Sequence, residues 1–155
     1  MYAPLQNRDD ILRMFVDMID HRQKILDRCI SLPVAKLNDP VYPGTWGVLE
    51  NLSHIAWAQM LMLGWIVRRP NAFPREEYPK PCPHDLDACR TALDEAMTAT
   101  IALLKENPET VLMEKCVFGK ALTEQTVGGI IYHMIEHEIA HRAFVYHKLA
   151  KVEGK

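Results

Sequence analysis

The residues most able to do chemistry lie near the C-terminal end of the sequence, in the stretch HEIAHRAFVYH at residues 137–147. His137, Glu138 and His141 form the H-E-x-x-H pattern, in which two histidines bind zinc and the glutamate is the general base of a metalloprotease. His147 follows at the spacing of the third zinc ligand in metzincin proteases. The first hypothesis is therefore a peptidase site.

The residues after His141 argue against a protease. In metzincins the chain leaves the helix at a glycine three residues after the second histidine, and this position is Phe144 here. The stretch RAFVYHKLAK contains no helix breaker, so the helix is predicted to continue. His147 is then rotated by roughly 240° from His141 and points elsewhere. No candidate strands for the substrate-binding sheet of a zincin are present, and the protease match is a coincidence of spacing.

A stripe of histidines on the last predicted helix favours a different metal site. His133, His137 and His141 recur every four residues on a face that also carries Ile130 and Met134. Burying an unpaired imidazole is costly, so two or three histidines in register favour metal binding over core packing. The outer two are separated by roughly 12 Å of helix rise. One adjacent pair is therefore expected to bind, with a third ligand from another helix.

Outside this helix only His21, His54 and His84 are available. His54 lies within the second predicted helix among bundle-packing residues, and we expect it to be the third ligand. Three histidines leave a coordination position open, which is typical of catalytic sites, and they suit Zn, Ni or Fe(II). A ferritin-type di-iron site needs a Glu-x-x-His motif on each of two helices. Glu138 and His141 form one such motif, but the residue three before His54 is Asn51, so a di-iron site is disfavoured.

Hydrophobic periodicity predicts an all-α fold, a four-helix bundle. The segment at 70–83, PNAFPREEYPKPCP, has five prolines in fourteen residues and is predicted to be a long crossover between helices two and three. The stretch VLMEKCVFGKALT before the last helix is compatible with a short hairpin around Gly119. The predicted helices run from about residue 11 to 29, from an N-cap at Thr45 to Arg69, from near Asp85 to Leu104, and from Thr123 or Thr126 to Ala150.

Composition limits the partners of this chain. Its 155 residues, 48% of them apolar and 25% charged, predict a single domain over residues 1–155. The net charge of −2 provides no basic face for nucleic acid. The longest apolar stretch, residues 55–67, is too short to span a membrane, and no targeting segment is seen, so we expect a cytoplasmic protein. The four cysteines are scattered without a C-x-x-C pair and are expected to be reduced.

Two segments resemble the DinB/YfiT-like family of metalloenzymes, which are small four-helix proteins with a three-histidine metal site. TWGVLENLSHIAWA is similar to the family segment that ends in its first histidine, here His54. TVGGIIYHMIEHEIAHRAF is similar to the last-helix motif, in which two histidines four apart precede an arginine, here His137, His141 and Arg142. The family often has glycine after this His-Arg pair, where this chain has Ala143.

The resemblance implies one divalent metal held by His54, His137 and His141, and a homodimer. It also implies a transferase that uses a low-molecular-weight thiol as nucleophile on a small electrophile. The alternatives are a metal-dependent hydrolase and a non-catalytic, stress-related metal-binding protein.

Further roles around this site follow from helical position. His133 and Glu50, each one turn before a ligand, are candidates for groups that contact the ligand histidines. For both, a structural role is at least as strong an expectation, a hydrogen-bonded core histidine for His133 and a solvent-facing side chain for Glu50. Glu138 and Arg142 are rotated off the ligand stripe and are expected at the surface or an interface. No catalytic side chain is assigned.

Overall fold

The computed structural model describes residues 7–69, 84–118 and 123–154. Four long helices form the bundle and two short strands pair beside it, which confirms the all-α prediction. The order along the chain is α1 (Arg8–Ile30), α2 (Val34–Asn38), α3 (Val48–Arg68), α4 (Leu86–Glu106), a 3-10 turn (Glu109–Met113), β1 (Lys115–Phe118), β2 (Thr123–Thr126) and α5 (Val127–Val152).

Side-chain caps fix the starts of three long helices. Asn7 Oδ1 accepts the backbone N–H groups of Asp9 and Asp10 at the start of α1. Asp85 caps α4, and Thr126 caps α5 by accepting the N–H of Gly129 at 3.0 Å. The predicted start near Asp85 and the Thr126 alternative are therefore confirmed, and α5 continues through His147 as expected.

The start of α3 differs from the prediction. The N-cap residue is Gly47, and the Thr45 hydroxyl instead lies 2.6 Å from the carbonyl oxygen of Pro40 and 2.8 Å from that of Tyr42. Thr45 therefore stabilises the loop before α3 and does not cap the helix. A Cβ at Gly47 would lie 2.8 Å from the carbonyl oxygens of Leu37 and Asn38, so the chain needs glycine where α3 begins beneath the end of α2.

The hairpin expected before the last helix is confirmed. β1 pairs antiparallel with β2, with Cys116 opposite Gln125, and β2 leads directly into α5. Its predicted turn at Gly119 lies outside the described residues, as does the proline-rich crossover at 70–83. The single domain over residues 1–155 stays a prediction.

α3 is the central helix, because it packs against both α4 and α5. Most of its residues are buried, including Leu49, Leu52, Ile55 and Ile66. α1 closes the bundle against α4 and α5. In the described part of the chain, no helix combines the length and apolar character needed to cross a membrane. The α3–α5 contact brings together the two segments that carry the histidine motifs.

Candidate metal centre

Three histidines converge where α3 meets α5. His54 projects from α3, and His137 and His141 project from successive turns of α5. Their ring centroids are 4.5–4.9 Å apart in all three pairs. His54 Nε2 lies 3.0 Å from His137 Nε2, and one nitrogen from each ring falls within 4.8 Å of the others. We call these three residues the histidine cluster.

The spacing of these nitrogens suits a metal ion. Two nitrogens bound to zinc at 2.0–2.1 Å in a tetrahedral shell are about 3.3 Å apart. The 3.0 Å separation between His54 and His137 is close to this value. All three side chains are half-buried, which keeps one side of the cluster open. The three residues therefore fit the metal site predicted for them, and metal binding itself stays a prediction.

The electrostatics at His137 and His141 favour neutral imidazoles. Burial, followed by the neighbouring charges of His141, His54 and His133, lowers the pKa of His137 to about 4. Burial also lowers the pKa of His141 below its usual value. A neutral imidazole has a lone pair to offer a cation, so the environment that disfavours protons here is compatible with a metal.

Asn51 orients one of the rings, a role that the sequence analysis did not assign. Its Nδ2 donates to the carbonyl oxygen of Gly47 at 2.8 Å, which leaves Oδ1 facing His141 Nδ1 at 3.1 Å. Since Oδ1 only accepts, His141 carries its proton on Nδ1 and presents Nε2 to the cluster. Asn51 lies three residues before His54 on the same side of α3. This spacing could have identified Asn51 from the sequence as a neighbour of the metal ligands.

His133 and Glu50, the two candidates for contact with the ligand histidines, both lie at the surface outside the histidine cluster. Glu50 is exposed, in agreement with a solvent-facing role. His133 is also exposed, and its ring centroid is 6.4 Å from that of His137. His21 is exposed and contacts Tyr146, and His84 is exposed before α4, so neither joins the cluster.

Aromatic side chains lie against two histidines of the cluster, His54 and His141. The Trp46 ring lies 4.8 Å from that of His54 and stacks on His141 at 6.0 Å, with an angle of 12°. Phe144 meets His141 edge-on at 6.4 Å and is 59% exposed. A cavity of about 370 Å³ adjoins His141, and Tyr42 and Trp46 are among its lining residues. This volume accommodates a small organic molecule.

The loop that carries Trp46 is tied to α5. Lys148 Nζ donates to the carbonyl oxygen of Pro40 at 2.7 Å and to Thr45 Oγ1 at 2.8 Å. Tyr42 Oη lies 3.1 Å from His147 Nε2. Within this loop Val41 has a φ of 61°, which is strained for a β-branched residue. The anchors on α5 therefore hold a strained loop in place beside the cluster.

The surface or interface position expected for Glu138 is wrong. Its side chain is 2% exposed and forms an ion pair with Arg22 of α1. Arg142 is half-buried, which is compatible with the surface or interface position expected for it. For Glu138 the rotation off the histidine stripe was inferred correctly, but its side chain points into the bundle, because Arg22 of α1 packs there.

Comparison with known protein families gives a match over most of the chain. Residues 18–145, well over half of the sequence, match the DinB superfamily. No curated protein matches this chain.

Among solved structures, the chain is similar to YfiT from Bacillus subtilis, with a TM-score of 0.65 and 15% sequence identity. The alignment covers 99% of this chain and 91% of that one. YfiT is described as a probable metal-dependent hydrolase with an unusual four-helix bundle topology. At this level of identity the similarity establishes the fold, and it confirms the four-helix bundle.

Proposed function

Because the chain belongs to the DinB superfamily, we propose that it is a metal-dependent enzyme that acts on a small molecule. His54, His137 and His141 hold one divalent ion, Zn, Ni or Fe. The observation that carries this proposal is the convergence of three ring nitrogens within 4.8 Å at a half-buried site. Imidazole suits all three metals, so the ligands alone do not choose among them.

The donor set favours a catalytic rather than a structural site. Within the described residues, the group of potential metal ligands consists of the three histidines, with no carboxylate or thiolate as a fourth member. Structural zinc sites are closed by four protein ligands, whereas catalytic sites keep a position for water or substrate. This comparison supports an enzyme over a non-catalytic metal-binding protein.

We favour transfer of a low-molecular-weight thiol to an electrophilic substrate. A divalent cation held by His54, His137 and His141 would lower the pKa of a thiol or water bound to it. In the transfer, the thiol loses its proton to solvent, a sulfur–carbon bond forms, and the bond from that carbon to the leaving group breaks. The aromatic cavity beside His141 would bind the apolar body of the electrophile, with Trp46, which stacks on His141, as part of its wall.

Hydrolysis is the second candidate, and the solved structure of YfiT favours it because that protein is described as a probable metal-dependent hydrolase. The same cavity would then hold an ester or amide, with water as nucleophile. Metal-loaded protein should be assayed with glutathione and 1-chloro-2,4-dinitrobenzene, and separately with p-nitrophenyl acetate. Turnover of only the first pair supports transfer, and turnover of only the ester supports hydrolysis.

The metal site is tested by mass spectrometry of the metal content of untagged protein. We expect about one metal per chain in the wild type and almost none in His54→Ala and His137→Ala. His147→Ala is the matched control, since it removes an exposed histidine of α5 outside the cluster. Metal that survives both cluster substitutions would overturn the proposed site.

We also propose a homodimer, as the family resemblance implies. Light scattering during size-exclusion chromatography should give twice the 17.8 kDa mass of one chain.

A further inference from the structure

We propose that Arg22 and Glu138 are positioning residues for the histidine cluster. They form a buried ion pair that fixes the rotation of α5 and, through Gln59, ties α5 to α3. This inference rests on the proposed metal site, because it concerns how accurately the three histidines are placed.

The contact between Arg22 and Glu138 is bidentate and enclosed. Arg22 Nε donates to Glu138 Oε1 at 3.0 Å, and Nη2 donates to Oε2 at 2.6 Å. The two side chains are 6% and 2% exposed. Two parallel hydrogen bonds between planar groups define an orientation as well as a distance, which a single contact does not.

The remaining donors of Arg22 extend this contact to the other helices. Nη1 donates to the carbonyl oxygen of Leu93 in α4 at 2.8 Å, and Nη2 also lies 2.5 Å from Gln59 Oε1 in α3. Gln59 Nε2 in turn donates to Thr100 Oγ1 at 3.0 Å. We call Arg22, Gln59, Thr100 and Glu138 the arginine cluster. It joins all four long helices through buried polar contacts.

The arginine cluster acts on the two helices that carry the metal ligands. Glu138 follows His137 directly and precedes His141 by three residues, so the three side chains lie within little more than one turn of α5. Gln59 lies five residues after His54 on α3. A ring nitrogen lies well outside the helix axis, so a rotation of α5 by about 10° moves it by on the order of 1 Å. Metal coordination tolerates only about 0.2 Å.

A second ion pair provides a matched control. Arg28 Nε and Nη2 donate to the Glu153 carboxylate at 2.8 and 3.0 Å. This pair also joins α1 to the C-terminal end of α5, where Glu153 is the C-cap residue, and it is also bidentate. Glu153 lies twelve residues beyond His141, roughly 18 Å along the helix axis. Its loss should weaken the α1–α5 contact without rotating the histidines.

The experiment measures zinc affinity by competition with a chromophoric chelator, the absorption spectrum of the cobalt(II) form, and the Tm of the metal-free protein. The variants are Glu138→Gln, Glu153→Gln and the double variant Arg22→Met/Glu138→Leu. The double variant removes both buried charges, which restores much of the stability lost in a single variant. The Tm of the metal-free protein then reports stability, and the zinc affinity and cobalt(II) spectrum report the positioning of the histidines.

We expect Glu138→Gln and the double variant to bind zinc about tenfold more weakly than the wild type, with an altered cobalt(II) spectrum. Glu153→Gln should keep the wild-type affinity and spectrum. A double variant that folds and matches the wild type in both measurements overturns the inference. If the double variant does not fold, Glu138→Gln compared with Glu153→Gln decides by the same criterion.

Zinc uptake by the wild type tests the proposed function separately. A wild type that binds no zinc refutes the metal site, whereas equal binding by the wild type and the Glu138 variants refutes only the positioning role.

Discussion

The histidine cluster and the arginine cluster share the α3–α5 pair, yet they satisfy their polar atoms in different ways. In the arginine cluster, guanidinium donors face carboxylate, amide and carbonyl acceptors of the same chain, at 2.5–3.0 Å. In the histidine cluster, three rings of one chemical kind turn their nitrogens toward each other, and burial keeps His137 neutral.

This difference indicates what each cluster is suited for. A polar group that is fully paired within the chain defines a unique arrangement of helices, and it has nothing left to offer a ligand. A half-buried group of imidazole nitrogens of one kind is suited to binding a cation from outside the chain. The fold therefore places the fully paired arginine cluster beside the half-buried histidine cluster. The arginine cluster holds the helices in the relative position that the three histidines require.

The strongest test of this comparison removes one partner of the closed cluster. Glu138→Leu leaves the Arg22 guanidinium buried without its carboxylate, so the free energy of unfolding should fall by about 3–5 kcal/mol. Glu153→Leu, at the more exposed pair, should cost about 1 kcal/mol or less. Urea denaturation of both metal-free variants measures the difference, and equal losses would contradict the distinction between the two ion pairs.

Zinc should stabilise the folded protein through the histidine cluster, whereas the arginine cluster needs no metal. Zinc at a thousand times its Kd should stabilise the wild type by about 4 kcal/mol, because it binds the folded chain only. His54→Ala should abolish this stabilisation, whereas His147→Ala should keep it. Thermal unfolding with zinc and with a chelator provides the measurement, and a zinc-dependent shift in His54→Ala would show that the ion binds elsewhere.

A smaller effect is expected at the residue that orients His141. Asn51→Leu removes the acceptor at Nδ1, so the ring loses its fixed tautomer and zinc affinity should fall by about 10–100-fold. Glu50→Gln changes the adjacent, exposed residue and should leave the affinity unchanged. Chelator competition distinguishes the two, and a loss in Glu50→Gln of the same size would count against the assigned partner.

The metal-free protein should also show a pH dependence of its stability. The folded pKa of His137 is about 4, below the usual 6.5, so the unfolded chain binds more protons between these values. Stability should therefore fall as the pH is lowered from about 6.5 towards 4, by at most about 1.4 kcal/mol per pH unit. Urea denaturation across this range should give a shallower dependence for His137→Gln. An unchanged slope would contradict the lowered pKa.

The histidine cluster was predictable because its spacing is local. Two ligands four residues apart on one helix, and one histidine within a second helix, indicate a shared site whatever the details of packing. His133 shows the limit of that reasoning. Each step of four residues advances roughly 40° beyond a full turn, so a stripe of three histidines drifts around the helix and its first member reaches solvent.

The arginine cluster was not predictable in the same way. The sequence positions Glu138 relative to His137, but its partner Arg22 lies 116 residues away and its burial depends on where α1 packs. Thr45 illustrates the same point on a smaller scale. Its residue type is compatible with a helix cap or with a loop, and only the path of the chain at Pro40 and Tyr42 selects the loop.

The position of Trp46 also makes intrinsic tryptophan fluorescence a suitable measurement for this site. Indole emission is sensitive to neighbouring imidazoles and to paramagnetic ions, and two of the three tryptophans lie beside His54, with ring centroids 4.8 Å away for Trp46 and 5.7 Å away for Trp57. Trp65 lies two turns further along α3 than Trp57. Trp46 is exposed and Trp57 is buried, so the polarity around the two rings differs, and we expect their emission maxima to differ. We therefore expect the intrinsic fluorescence of the unlabelled protein to change when an ion binds to the histidine cluster.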